Sequence, residues 1–252
     1  MKTLARAFLI LSLTVIAPTQ PLGADPVNDV RAALARLTAV EPIRATYELQ
    51  QSVANEGKFG NDKYAGKATV ELEGDGSGFR VIIPRPLLEQ VEREQQAHAK
   101  SAKQQTPTVS ALREIEPVDT SDAIDFAPTL LRLLDGAKLV SDAQSTWQGH
   151  PARALVLRVA DRLDEDDSNK VKISENRLTL WLGPDLIPLG AEHIVNAKFS
   201  FLIFKGEQKQ KKSWYLSHVA DRLVRVRHEL TRTSSGMGQK GNESVVALVH
   251  VH

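Results

Sequence analysis

The sequence predicts an α+β domain: a large curved antiparallel sheet with an N-terminal helix and further helices that can plug its concave side. Three observations predict it. Apolar and polar residues alternate with period two in about eight or nine segments or more, the signature of strands with one buried face. Two other segments repeat apolar residues at three- and four-residue steps, as amphipathic helices do. The composition is that of an ordinary globular chain: 252 residues, 42% hydrophobic, 25% charged, with 15 Gly, 12 Pro and no Cys.

Residues 1–24 read as a signal peptide. Lys2 and Arg6 form a basic start, Ala7 to Ala17 is an apolar run, and Leu22-Gly23-Ala24 offers a small residue for cleavage. The run is shorter than the roughly 20 residues a spanning helix needs, and no later stretch reaches that length. The mature chain, 25–252, is therefore expected to be one periplasmic domain without a transmembrane anchor. Removing Lys2 and Arg6 leaves 30 basic and 31 acidic side chains from the 32 and 31 of the whole chain, so the net charge moves from +1 to −1.

After Asp25-Pro26, which suits a helix start, Val27, Val30, Ala33, Leu34 and Leu37 form one stripe, and Pro42 stops it. From Ile43 the period becomes two, with Ile43, Ala45, Tyr47 and Leu49 on one face. Ala68, Val70 and Leu72 continue that pattern, Gly74 to Gly78 turns the chain, and Phe79, Val81 and Ile83 resume it. One face wet and one dry makes the sheet antiparallel. Beyond Pro84 and Pro86 the composition shifts to Glu, Gln, Lys and Ala through Glu116. This reads as a helical insertion at about 86–117 that starts on the core at Leu87, Leu88 and Val91 and runs into solvent, interrupted at Pro107. A second core helix is expected at Phe126–Leu134, with Asp125 as its cap and Gly136 closing it. Further strands are expected at 153–159, 177–182, 192–204, 214–218, 223–230 and 244–251.

The order of an N-terminal helix, a strand, Gly66-Lys67-Ala68 opening a second strand, Phe79-Arg80 opening a third and Pro84 after it resembles the LolA-like periplasmic lipoprotein carriers. Leu180-Trp181-Leu182-Gly183-Pro184, leading through Pro188 to Glu192, is similar to a later strand–turn–strand of that fold. The resemblance covers 25–85 and, more loosely, 149–204. It implies a half-open barrel closed by helices, whose hydrophobic cavity holds acyl chains. Where that family continues directly into strands, this chain inserts its Gln/Lys-rich stretch. The absence of Cys also removes the lipid-anchored receptor form of the fold, because no Cys can carry the anchor.

The near-zero charge marks no nucleic-acid binder. Zero Cys excludes thiol catalysis, Cys-ligated zinc and iron–sulfur clusters. There is no G-x-S-x-G elbow, and Ser217 and His218, being adjacent on a strand, point to opposite faces. Gly236 to Gly241 matches G-x-G-x-x-G between two strands, the context of a hairpin loop rather than of a dinucleotide site. Asp164, Asp166, Ser168 and Glu175 have calcium-loop spacing between strands instead of helices, where a solvated acidic loop is the simpler reading. His250 and His252 share a face of the last strand and lack a third ligand.

What remains is the inward apolar face: Tyr47, Leu49, Val70, Leu72, Phe79, Val81, Leu178, Leu180, Phe199, Phe201 and Ile203, with His228 in register beside Val224, Val226 and Leu230. These residues line either a filled core or, left partly unpacked, a cavity for an acyl chain or lipoprotein. The expected function is non-catalytic binding of such a ligand, with no cofactor and no metal. The alternative is a cell-envelope interaction or sensor module whose exposed helix at 87–116 docks a protein partner over a filled core.

Overall fold

The computed structural model describes residues 25–58, 60–161, 171–201 and 204–252. The signal segment, Asp164, Asp166, Ser168 and Ile203 lie outside the described residues, as does the side chain of Phe201. The chain runs α1 (Pro26–Leu34), β1 (Ile43–Gly57), β2 (Asp62–Asp75), β3 (Gly78–Ile82), α2 (Arg85–Lys100), α3 (Pro107–Arg113), α4 (Pro117–Ile124) and α5 (Ala127–Leu134). Seven strands follow: β4 (Lys138–Trp147), β5 (His150–Arg158), β6 (Val171–Leu182), β7 (Pro188–Phe201), β8 (Phe204–Val219), β9 (Arg222–Gly236) and β10 (Gln239–Val251).

All ten strands form one antiparallel sheet in the order β3-β2-β1-β10-β9-β8-β7-β6-β5-β4. It is curved and does not close into a barrel. Every neighbour is also a neighbour in sequence except one: the C-terminal strand β10 zips along β1, from Ala45 opposite Val251 to Gly57 opposite Gln239. The turns are where the sequence places them. Asp75 Oδ1 accepts from the amides of Ser77 and Gly78 at 2.8 and 3.1 Å, and Met237 and Gly238, both at positive φ, turn β9 into β10. The glycine-rich run is thus a hairpin. At the first helix, Asp25 Oδ1 accepts from the Val27 amide at 3.0 Å, and Pro26 occupies the first turn where its missing donor costs nothing.

The helices cover the inner face in two groups. α1 and α5 lie on β5 to β8, burying Val30, Leu34, Leu130 and Leu134 against Leu155, Leu157, Leu178, Leu180 and Leu182. α3 and α4 lie on β1, β2, β9 and β10, burying Ala111, Ala123 and Ile124 against Ala45, Tyr47, Leu49, Ala68, Val70 and Leu72.

Two expectations need correction. The segment after Pro84 starts against the core only through Leu87, at half-burial, and does not go on running outward. α2 has no buried residue and Leu88 is exposed, while the chain returns to the sheet beyond Pro107 as α3 and α4. These helices have 7 and 8 residues, too few to print a periodic stripe. The sheet also has more strand than the alternation shows. β4 is an edge strand with no buried side chain, and so carries no binary pattern. The Lys-rich stretch before Trp214, expected as a separator, is the first half of β8: Lys209 and Lys211 face solvent while Lys212 is half-buried.

Candidate functional site

The inward residues named from the sequence fall into separate places. Tyr47, Leu49, Val70 and Leu72 are buried in the core under α3 and α4. Leu178 and Leu180 are fully buried in the other core, under α1 and α5. Phe79 and Val81 pack half-buried at the edge of the first core. Phe199, near the end of β7, is 39% exposed, with its ring over Gly206. These residues do not line one common cavity.

Between the two cores the inner face of β7, β8 and β9 is polar. Strand register assembles it. His193 pairs with Lys212 across β7 and β8, and Trp214 pairs with His228 across β8 and β9. A β-bulge then shifts the pairing, so that Leu216 opposes Arg225. Paired residues share a face. The bulge therefore turns Arg225 to the face of His228 beside Val226, which packs half-buried on the second core, a departure from simple alternation along β9. The rings of His193, Trp214 and His228 stand in a row, with 6.2 Å between successive centroids and 28° between planes.

Arg225 is 3% exposed. Its Nη2 donates to the main-chain oxygen of Asp119 in α4 at 2.9 Å, and its guanidinium carbon lies 5.5 Å from the centroid of Phe126. The Tyr47 hydroxyl is a further partner. Among the described residues neither Arg225 nor Lys212 forms an ion pair, and the inward positions of β7 to β9 at this level carry no carboxylate. The nearest acids, Asp119 and Asp122, come from α4 above.

Burial governs the protonation states. Desolvation, with the Lys212 charge adding to it, lowers His193 to about 4. Desolvation together with Arg225 and Lys212 lowers His228 to about 2. Both imidazoles are therefore neutral at pH 7. His193 Nε2 lies 2.8 Å from Asn176 Oδ1, to which it donates, whereas His228 Nε2 has no partner. Desolvation also lowers Lys212 and raises Tyr47. A strip of donors without an adjacent acid can hold an oxyanion.

Farther along β9 a hollow of about 280 Å³ is lined by Gln51, Tyr64, Glu114, Arg232 and Glu243 among others. There Arg232 is matched: its Nη1 lies 2.6 Å from Glu243 Oε2.

No family model and no curated protein matches the chain. Among solved structures it is similar to one DUF1329 family protein. That protein, from Desulfovibrio piger, shares 11% identity over 88% of this chain and 92% of its own, with a TM-score of 0.25. A likeness at that level carries no argument, and the site stands on its own geometry.

Elsewhere, His252 Nε2 lies 2.8 Å from Thr46 Oγ1 on the outer face. Among the described residues no three His, Asp or Glu side chains gather as metal ligands would. Sequence reasoning found His228 and missed Arg225, Lys212, Trp214 and His193. A bulge leaves no local signal for Arg225. Lys212 was hidden in a run of lysines, although its even spacing from Trp214 and Leu216 was there to be read.

Proposed function

We propose that this is a non-catalytic, exported binding protein of the periplasm. Its ligand is the acyl chain of a lipid or lipoprotein, taken up between the sheet and the helices α3 and α4. One observation carries the reading: the cover over Tyr47, Leu49, Val70 and Leu72 is a light plug. Its buried side chains are small, Val109, Ala111, Ala123 and Ile124 among them. The plug is seated by close main-chain approach, since a Cβ on Gly66 would fall 2.2 Å from the Pro107 oxygen and one on Gly74 would fall 2.7 Å from Ile124 Cδ1. With the plug in place the space is filled by protein. With it withdrawn, the strand residues offer an apolar groove, and each methylene buried there gains about 0.8 kcal/mol. Native mass spectrometry of the protein purified from its exported compartment tests this. A copurifying acyl species, or uptake of a fluorescent fatty acid by the bare protein, is the expected result. A bare mass with no uptake overturns the reading.

A second reading is supported by α2, which spends 16 residues without burying a side chain. A helix that packs on the core through Leu87 and leaves most of its length exposed suits a docking element for an envelope partner. Deleting 87–100 separates the two: loss of a partner with fatty-acid uptake intact favours docking, and the reverse favours the carrier.

A further inference from the structure

The inner strip between the two cores is short of counter-charge. Trp214 Nε1, His228 Nε2 and Arg225 Nε are buried without partners. Trp214 and Arg225 are 3% exposed and His228 is 9% exposed. Lys212 stands on the same face, opposite His193. Buried donors and cations without an acceptor are costly, and folds retain them where something else meets them.

In the closed state that something is partly α4. Asp119 gives its main-chain oxygen to Arg225, and the charges of Asp119 and Asp122 act on both Arg225 and Lys212. The Asp122 carboxylate is itself shared with Thr129, whose hydroxyl donates to it at 2.6 Å. Desolvation holds Lys212 and both histidines below their usual values, which marks the same deficit. If α4 withdraws to admit a ligand, both aspartates leave with it. The strip then presents two cations, an indole N–H and an imidazole, with no acid among its inward strand positions. The apolar residues Tyr47, Leu49 and Val70 begin two to four strands away on the same face.

We infer that this strip is the headgroup site of an anionic amphiphile, whose carboxylate or phosphate replaces the α4 aspartates beside Lys212 and Arg225 while its hydrocarbon lies along Tyr47, Leu49 and Val70. The inference rests on the carrier reading above and deepens it. An uncharged amphiphile of the same chain length would leave Lys212 without an acid and Arg225 with the Tyr47 hydroxyl alone once the plug moves.

The test is displacement of the neutral probe phenylnaphthylamine from the mature protein by hexadecanol, palmitate and palmitoyl lysophosphatidate. One or both anions should bind at least about tenfold tighter than hexadecanol, and the better of the two identifies a carboxylate or a phosphate source. Lys212→Gln should reduce the anions to the level of hexadecanol, and Lys212→Arg should keep the preference. Equal binding of all three by the unmodified protein overturns the headgroup site and leaves the carrier standing, without recourse to any variant. A preference that survives Lys212→Gln also overturns it. If none of the three displaces the probe, the carrier reading falls and this one with it.

Discussion

The two halves of the inner face are built from different materials. Under α1 and α5 the core is made of large side chains at less than 2% exposure: Leu34, Phe126, Leu130, Leu134, Leu155, Leu157, Leu178, Leu180 and Leu182. Under α3 and α4 the sheet mixes Tyr47, Leu49, Leu72 and Leu230 with Ala45, Ala68, Val70, Val245 and Ala247, and the helices answer with Ala111, Ala123 and Ile124. Thr108 and Thr120 are buried there too, each satisfied by a hydrogen bond. A leucine core interlocks many contacts per residue, and removing any one leaves a hole. The short helices over the second core bury smaller side chains on the whole than α1 and α5 do. On the reading proposed above, the first half is the permanent core and the second is the one a ligand would open.

Substitutions can break that contrast. Leu180→Ala in the leucine core should lower unfolding free energy by about 3 kcal/mol in chemical denaturation. Ile124→Ala in α4 should cost less, about 1–2 kcal/mol, because its loss saturates once the lid opens ahead of global unfolding. Equal losses would mean that the two halves unfold as one unit, and the lid would not be separable.

Acid should act on the strip between the halves. An unfolded histidine takes its proton near 6.5, whereas His193 and His228 in the fold take theirs at about 4 and about 2. Below pH 6.5 the unfolded chain therefore binds protons that the fold does not. Stability is full above 6.5 and falls as pH drops toward 4, by about 2 kcal/mol per histidine at pH 5. His193→Asn should remove one histidine's share of that slope, measured by urea midpoints between pH 7 and 5.

Gly66→Ala should dislodge α3, since its Cβ would meet the Pro107 oxygen. The expected cost is about 1–2 kcal/mol, read as faster amide exchange confined to 107–124 with α1 and α5 unchanged. Exchange that rises equally in α5 would contradict the division. The smallest effect is expected at the first helix, where Asp25→Ala removes the cap on Val27 and should lower stability by about 1 kcal/mol, with the lid and ligand binding untouched.

The strands with one wet and one dry face were legible because alternation records burial directly: Ile43 to Leu49 and Ala68 to Leu72 lie inward as their period requires. α1 was legible because Asp25-Pro26 and the stripe from Val27 to Leu34 agree. β4 was not, since an edge strand with both faces in water has no pattern to print. α3 and α4 were not, since a helix of two turns buries three or so residues, and Pro107 and Pro117 read as easily as breaks as they do as starts. At the site, His228 followed from the period, whereas Arg225 did not, because the shift at Val226 brings a second residue of β9 to the inner face.

The sequence by itself determined the class: an antiparallel sheet with one dry face, a leading helix, a helical insertion after Pro84, no cysteine chemistry and no later run long enough to span a bilayer. Those are local or compositional properties, and period and chain length suffice to state them. Only the tertiary structure decided that the dry face is two cores of unlike weight, that the end of the chain zips to the first strand, and that a cationic strip lies between the cores. These depend on which strands stand side by side and on a one-residue change of register, and the free energies that choose them come from contacts between residues far apart in the chain.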